Sequence, residues 1–479
     1  MLARVVGWLL MIESVFMLVP MVCSLIYSEA DWQAFAISAA VTAGAGLLLN
    51  TCIRQHHTQM GKREGFLLTA CVWAVFSLFG SVPFVICSTP LTFSEAFFEA
   101  MSGFTTTGAS VLPDIENMSQ GVHMWRALMQ WIGGMGIIIF TLAVIPMLNY
   151  SGGMQMFNAE VTGITHDKIR PRISQTAKSL WGVYAVLTAM CTLMLWAGPM
   201  SFFDALCHAF GTVSTGGFST RNAGISAWDS SYTDAVVTLF MFLGGVNFAL
   251  LFKAATGNFR PLRLNETFRV YVWCIAIYTG LCIVSIVVVG QCHDWRDVTI
   301  DPLFLVVSTI TSTGYTVANF ELWGRFVLAL MFVVMFFGAC AGSTSGGAKI
   351  DRMLVLLQYC RNEIRRALQP NNITAVRVGG KALSQELVSK VIAFLCLFMI
   401  IVTLGGILLS AMGIPVVDSF FSAFSCTSNI GLGAGVTGYG SSYEIIPDAG
   451  KWLLSMLMLI GRLEIFTVLI LFTPNFWHK

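Results

Sequence analysis

The sequence predicts an all-α polytopic membrane protein in which two extra N-terminal transmembrane helices precede four pseudo-symmetric repeats, each a span, a half-helix and a second span. Three observations predict it: apolar composition gathered in long uncharged runs, charge confined to alternate loops, and a short motif that recurs between spans. Of 479 residues, 56% are apolar and only 11% charged, with a mean hydropathy of +0.75. A soluble domain needs more charge than this to cover its surface.

Ten runs are near the roughly 20 residues needed to cross a hydrocarbon core. They lie near 5–27, 33–52, 66–87, 127–148, 179–198, 232–252, 270–290, 326–348, 391–412 and 452–472. The first is too long for a cleaved signal, carries Glu13 and Pro20 and lacks a small-residue cleavage site, so it reads as a mature helix. These runs divide the chain into 1–53 (two helices), then repeats at 66–148, 179–253, 270–366 and 388–479.

Net charge is only +2, yet Arg54, Lys62, Arg63, Lys168, Arg170, Arg172, Lys178, Arg260, Arg263, Arg361, Arg365, Arg366, Arg377 and Lys381 all fall in alternate loops. The positive-inside rule assigns those loops, and with them both termini, to the cytoplasm. The opposite loops are acidic, with Glu95, Asp114, Glu116, Asp204, Asp229, Asp301, Asp418 and Asp448. The 13 cysteines form no C-x-x-C pair and the seven histidines show no ligand spacing, which argues against a disulfide framework or a zinc site. No P-loop, Rossmann glycine fingerprint or converging catalytic set is visible, so nucleotide binding, an organic cofactor and enzymatic chemistry are not expected of this chain. Nucleic acid is not an expected partner either.

Four outer segments contain an apolar stretch too short to span: EAFFEAMSGFTTTG (Glu95 to Gly108), DALCHAFGTVSTGG (Asp204 to Gly217), DPLFLVVSTITSTG (Asp301 to Gly314) and DSFFSAFSCTSNIG (Asp418 to Gly431). In each, the acid precedes the glycine by thirteen positions. One copy alone reads as a turn between helices; four at one offset read as a repeat. Non-helical backbone at membrane depth persists only where it is buried in protein or lines water. A half-helix with an acid at its amino end aims its negative carboxyl end inward, and four converging ends favour a cation. The glycine that follows permits positive φ and turns a carbonyl toward an axis, where four carbonyls replace an ion's hydration shell. The candidate ion-binding residues are therefore Thr106, Thr107 and Gly108; Thr215, Gly216 and Gly217; Ser312, Thr313 and Gly314; and Asn429, Ile430 and Gly431. Gly217 keeps the common offset, so Gly216 is read as an adjacent small residue.

The eighth span is interrupted by GACAGSTSGGAK, residues 338–349. Each glycine in a helix interior costs about 1 kcal/mol relative to alanine, so the helix is expected to unwind there. Lys349 at its end is expected to snorkel to the inner surface. GGMG at 133–136 and GGV at 244–246 are read as close packing rather than hinges. The last span carries Arg462 and Glu464 amid apolar residues, and charge at that depth needs water or a partner. Residues two apart point to different helix faces, which weakens a local Arg462–Glu464 pair. Asp234 reads as interfacial, and Glu13 either as a buried hydrogen-bonded acid or as functional.

At this point FTTTGAS (104–110), STGGFST (214–220), TSTGYT (311–316) and SNIGLG (428–433) resemble the four degenerate filter sequences of the Trk/Ktr/HKT superfamily of potassium transporters. The two extra amino-terminal spans look like those of its TrkH-type membrane subunits. The resemblance implies K+ as the transported ion and carries the filter glycines onto Gly108, Gly217, Gly314 and Gly431. Relatives that favour sodium often have serine at the first of these, so Gly108 implies potassium selectivity. It also implies a gate below the filter, formed here by Gly338, Gly342, Ser343, Gly346 and Gly347 with Arg462 facing it. A homodimer, a cytosolic nucleotide-binding regulatory ring of the TrkA type and a place in the bacterial inner membrane are likewise implied. The basic amphipathic segment DRMLVLLQYCRNEIRRAL, residues 351–368, suits either that ring or anionic membrane lipids. Channel-like flow and ion-coupled symport both remain open at this level.

Overall fold

In the computed structural model, residues 2–52, 62–144, 173–290, 294–369 and 375–477 are described. The expectations for Arg54, Lys168, Arg170, Arg172 and the end of the fourth span lie outside these residues. The described chain is helical apart from loops and one two-residue antiparallel ladder, Arg377–Val378 with Lys381–Ala382.

The first two helices, Leu2–Ile26 and Trp32–Cys52, form a tight hairpin because glycine sits at their crossing. A β-carbon on Gly7 would lie 2.8 Å from the Gly46 carbonyl, and one on Gly46 2.7 Å from that of Gly7. The hairpin is tied to the first repeat by Glu29, which accepts from the backbone N–H of Gln120 (2.7 Å) and Gly121 (3.2 Å) at the start of the helix Gln120–Val144. A carboxylate there meets otherwise unsatisfied donors and the positive end of the helix.

The four short apolar stretches are helices: Phe93–Phe104, Phe202–Val213, Trp295–Ile310 and Val416–Thr427. Local sequence starts the first three. Thr92 and Glu95 make a capping box, Ser201 accepts from Asp204 N–H, and Asp294 with Asp297 makes a second box. In the third repeat the helix therefore begins earlier than expected, and Asp301 sits in its interior beside Pro302 instead of at its amino end. The earlier Asp294–Asp297 box supplies the start signal that the repeat alignment missed.

Flanking helices over Lys62–Gly80, Ile173–Trp196, Glu266–Val289 and Gln385–Ala411 each open a repeat. The second helices of the repeats depart from expectation. In repeat 1 Gln120–Val144 is continuous through its glycines. In repeat 2, Ser231–Gly244 and Phe248–Ala255 meet at 107°, and in repeat 4, Asp448–Arg462 and Ile465–Phe472 meet at 116°. In repeat 3, Arg325–Phe337 ends at Gly338 and the chain resumes as Ile350–Leu368. Three second helices are thus broken where only one break was expected, and GGV at 244–246 marks a break as well as close packing. The physical reason in repeat 2 is Asn247, whose side chain accepts from Ala249 and Leu250 N–H and so starts a new helix.

Candidate functional site

Each half-helix ends in the same way. In the first, Thr106 N–H donates to Gly103 O (3.0 Å) and Thr107 N–H to Ser102 O (2.9 Å). The equivalent pairs recur at Thr215 and Gly216, at Ser312 and Thr313, and at Asn429 and Ile430. This is the Schellman ending, which needs a left-handed residue just past the helix. That residue is Thr106 (φ 54°), Thr215 (55°), Ser312 (56°) or Asn429 (53°), none of them glycine. Two positions on come Gly108 (83°), Gly217 (83°), Gly314 (81°) and Gly431 (77°). Four different sequences thus share one backbone.

Those strands close on one another. A β-carbon added at Gly108 would run into the carbonyl oxygen of Gly216, one at Gly217 into that of Thr313, one at Gly314 into that of Ile430, and one at Gly431 into that of Thr107. The contacts pass from repeat 1 to 2, 3, 4 and back to 1, a closed ring. All four glycines open onto one outer cavity, together with Arg126, Phe218, Tyr315 and Tyr443. At its rim Asn222 donates to Asp114 (2.9 Å) and holds that carboxyl below its ordinary range.

Gly216 fills the position held by Thr107, Thr313 and Ile430, which settles its register. A side chain there would collide with Gln130, whose Nε2 donates to Gly216 O (2.7 Å) while its Oε1 accepts from Phe218 N–H (3.1 Å). Gln130 braces strand 2 from behind. Asn429 Nδ2 donates to Thr107 Oγ1 (3.0 Å) and Met458 O (2.9 Å), joining strand 4 to strand 1. A buried ion pair, Arg126–Glu99 (2.8 Å), supports the outer end of strand 1, with Glu99 also accepting from the Ser110 hydroxyl and from Val111 N–H. Sequence reasoning missed Gln130, Glu99 and Arg126; the available signal was polar residues on otherwise apolar helices.

Beneath the ring lies the segment 338–349. Gly338 (φ 63°), Gly342 (78°) and Gly347 (76°) let it fold back on itself. It is held from several sides: Cys340 N–H donates to Gly245 O (3.1 Å), Asn247 Nδ2 to Ala341 O (2.6 Å), and Phe248 N–H to Gly342 O (3.0 Å). Gly346 N–H donates to Ser312 Oγ (2.6 Å), and a β-carbon on Gly346 would strike the Ser428 carbonyl. Ser343 stays within the loop, donating to Cys340 O (2.6 Å). Every expected gate glycine is therefore in this loop. Repeat 2 reaches it because its own second helix breaks, exposing the backbone of 244–247.

Arg462 joins the same layer. Its Nη1 donates to Thr344 O (3.1 Å) and its Nη2 to Gly133 O (2.8 Å), with the guanidinium 5.7 Å from the Trp73 ring centre. Gly133, Gly244 and Gly461 each press against the carboxyl end of their own half-helix, at Phe104, Val213 and Thr427. The next position is Gly134 in repeat 1, Gly245 in repeat 2 and Arg462 in repeat 4. Tyr184 Oη packs over Gly134 and Tyr271 Oη over Gly245, so an arginine stands where repeats 1 and 2 make room for a neighbour's tyrosine. Glu464 pairs with Arg352 rather than with Arg462. Lys349 does not snorkel: it is 7% exposed, at the start of the helix Ile350–Leu368 with φ 67°.

The family model for TrkH, a cation transport protein, matches residues 31–479. The chain belongs to the TrkH family. That makes it a multi-pass membrane transporter and not an enzyme. Similar curated proteins include the Trk system potassium uptake protein TrkH of Halomonas elongata, 36% identical over 487 residues, covering 100% of this chain and 99% of the relative. The protein of that name from Escherichia coli K12 is 35% identical over 486 residues, with the same coverages. The crystal structure of the potassium transporter TrkH from Vibrio parahaemolyticus superposes with a TM-score of 0.90 at 32% identity, covering 100% of this chain and 99% of that one.

Proposed function

We propose that this chain is the pore-forming subunit of a potassium uptake system, passing K+ inward through the four-strand ring as a selectivity filter, with the 338–349 loop and Arg462 as its gate. The closed cycle of glycine contacts from repeat 1 to repeat 4 and back carries this reading. Left-handed glycines at one level set four carbonyls around a common axis, the arrangement that substitutes for the hydration shell of a potassium ion. The similarity to proteins named for potassium uptake supports the choice of ion. The repeat boundaries at 66–148, 179–253, 270–366 and 388–479 belong to the same proposal.

The gate follows from position. A loop bonded to Ser312 and lying against Ser428 occupies the inner end of the ring, and the Arg462 guanidinium beside it opposes a passing cation. The driving force is the membrane potential, worth about 2.3 kcal/mol per charge per 100 mV. We place the protein in the bacterial inner membrane with both termini cytoplasmic, as a homodimer. The helix Ile350–Leu368, with Arg361, Arg365 and Arg366 near its end, is the surface for anionic lipids and for a nucleotide-binding ring of the TrkA type.

The test is potassium-dependent growth of a bacterium stripped of its own potassium uptake systems. The native chain is expected to restore growth at low potassium, and Gly108→Ser to restore it less well and to become sensitive to sodium. Failure of the native chain, correctly inserted, to restore growth would contradict the assignment.

A further inference from the structure

Ser312 is the one left-handed residue of the ring whose side chain holds two backbone partners in two different elements. Its hydroxyl donates to Thr311 O (2.7 Å) at the end of its own half-helix and accepts from Gly346 N–H (2.6 Å) in the loop below. Thr215 faces the loop as a donor instead, with Oγ1 2.7 Å from Ser214 O and 3.3 Å from Thr344 Oγ1. Thr344 in turn lies 3.2 Å from Val213 O, and its own carbonyl takes Arg462 Nη1. Asn429 differs, turning its amide to strand 1 and to Met458. The ring's hydroxyl hydrogen bonds to the loop thus come from repeats 2 and 3.

We infer that Ser312 is a positioning residue that couples the gate to the filter, resting on the reading of loop and ring given above. A hydroxyl that accepts an N–H becomes a better donor, because hydrogen bonds in series polarise one another. With the loop in place, Ser312 therefore draws more strongly on the Thr311 carbonyl, at the inner end of strand 3. When the loop withdraws, that draw weakens and the negative potential of the half-helix end beneath the filter rises. Gate position in this way sets ion affinity at the inner end of the filter.

Glycine separates this role from a structural one. It is the residue best suited to a left-handed position, so Ser312→Gly keeps the backbone and removes only the hydroxyl. Ser312→Thr restores a hydroxyl, on a residue that Thr106 and Thr215 show to be compatible with this conformation. The experiment is a double-mutant cycle on the full-length protein in proteoliposomes, reading the half-saturation concentration for K+ and the K+/Na+ flux ratio. Arg462→Ala loosens the loop and is combined with the native residue and with each variant at position 312.

In the native and Ser312→Thr backgrounds, Arg462→Ala is expected to shift half-saturation by about five-fold, the scale of one hydrogen bond. In the Ser312→Gly background it is expected to shift nothing. The same shift in all three backgrounds would overturn the proposal. So would a Ser312→Gly protein that no longer folds while the Ser312→Thr protein does, since the hydroxyl would then be purely structural. A native protein that carries no K+ at all would instead sink the transport reading itself, which the native arm measures separately.

Discussion

The ring and the loop beneath it are built on opposite principles. The ring is a fourfold backbone made from four dissimilar sequences: its left-handed residues agree within 53–56° and its glycines within 77–83° in φ. The loop is a single unrepeated insertion in repeat 3, held by side chains and backbone of repeats 2, 3 and 4. Backbone symmetry can place equal ligands around an axis. An asymmetric plug can be withdrawn without dismantling them. The difference teaches that substitutions at the ring's glycines should act through conformation, and substitutions around the loop through particular contacts.

The largest expected effect follows from the ring's conformation. Gly314→Ala meets both a left-handed backbone, costing about 1–2 kcal/mol, and the Ile430 carbonyl of the next strand. Potassium uptake should be abolished and thermal stability lowered; a variant with native uptake would break the claim that backbone symmetry is essential. Next comes the Arg126–Glu99 pair behind strand 1. Removing one partner strands a buried charge, at about 3–5 kcal/mol, so Glu99→Gln should destabilise far more than a paired replacement of both residues by apolar ones, measured by thermal unfolding in detergent.

Around the loop the expected effects are functional rather than structural. Arg462→Ala removes the bonds to Thr344 and Gly133 and should raise ion flux through the resting protein while leaving its melting temperature nearly unchanged. Unaltered flux at every potassium concentration would remove Arg462 from the gate. The smallest effect is a gain: Thr106→Gly relieves a β-branched residue at φ 54° and should stabilise by up to about 1 kcal/mol, visible as a small upward shift in melting temperature.

Much of this architecture was legible in the sequence because it is written in periodic features. Apolar length marked the spans, and the fixed offset from acid to glycine brought Gly108, Gly217, Gly314 and Gly431 to one level. The 338–349 segment announced itself by its glycines. What stayed hidden depends on non-local partners. No local pattern reveals that Gly216 is small because Gln130 fills its space, or that Glu99 meets Arg126. The breaks after Gly244 and Arg462 were hidden for a related reason: both runs are apolar enough to span, and only Asn247 as a helix start hinted at the first. Asp301 misled because the offset marks distance to the glycine, not the start of the helix.

The central claim is that the four strands together bind potassium. Rubidium, with a closely similar ionic radius and a usable anomalous signal, tests it in crystals of the protein grown with rubidium in place of potassium. Anomalous density on the axis bounded by residues 106–108, 215–217, 312–314 and 429–431 is the predicted result. An empty ring, with rubidium bound at full occupancy elsewhere in the membrane region, would contradict it.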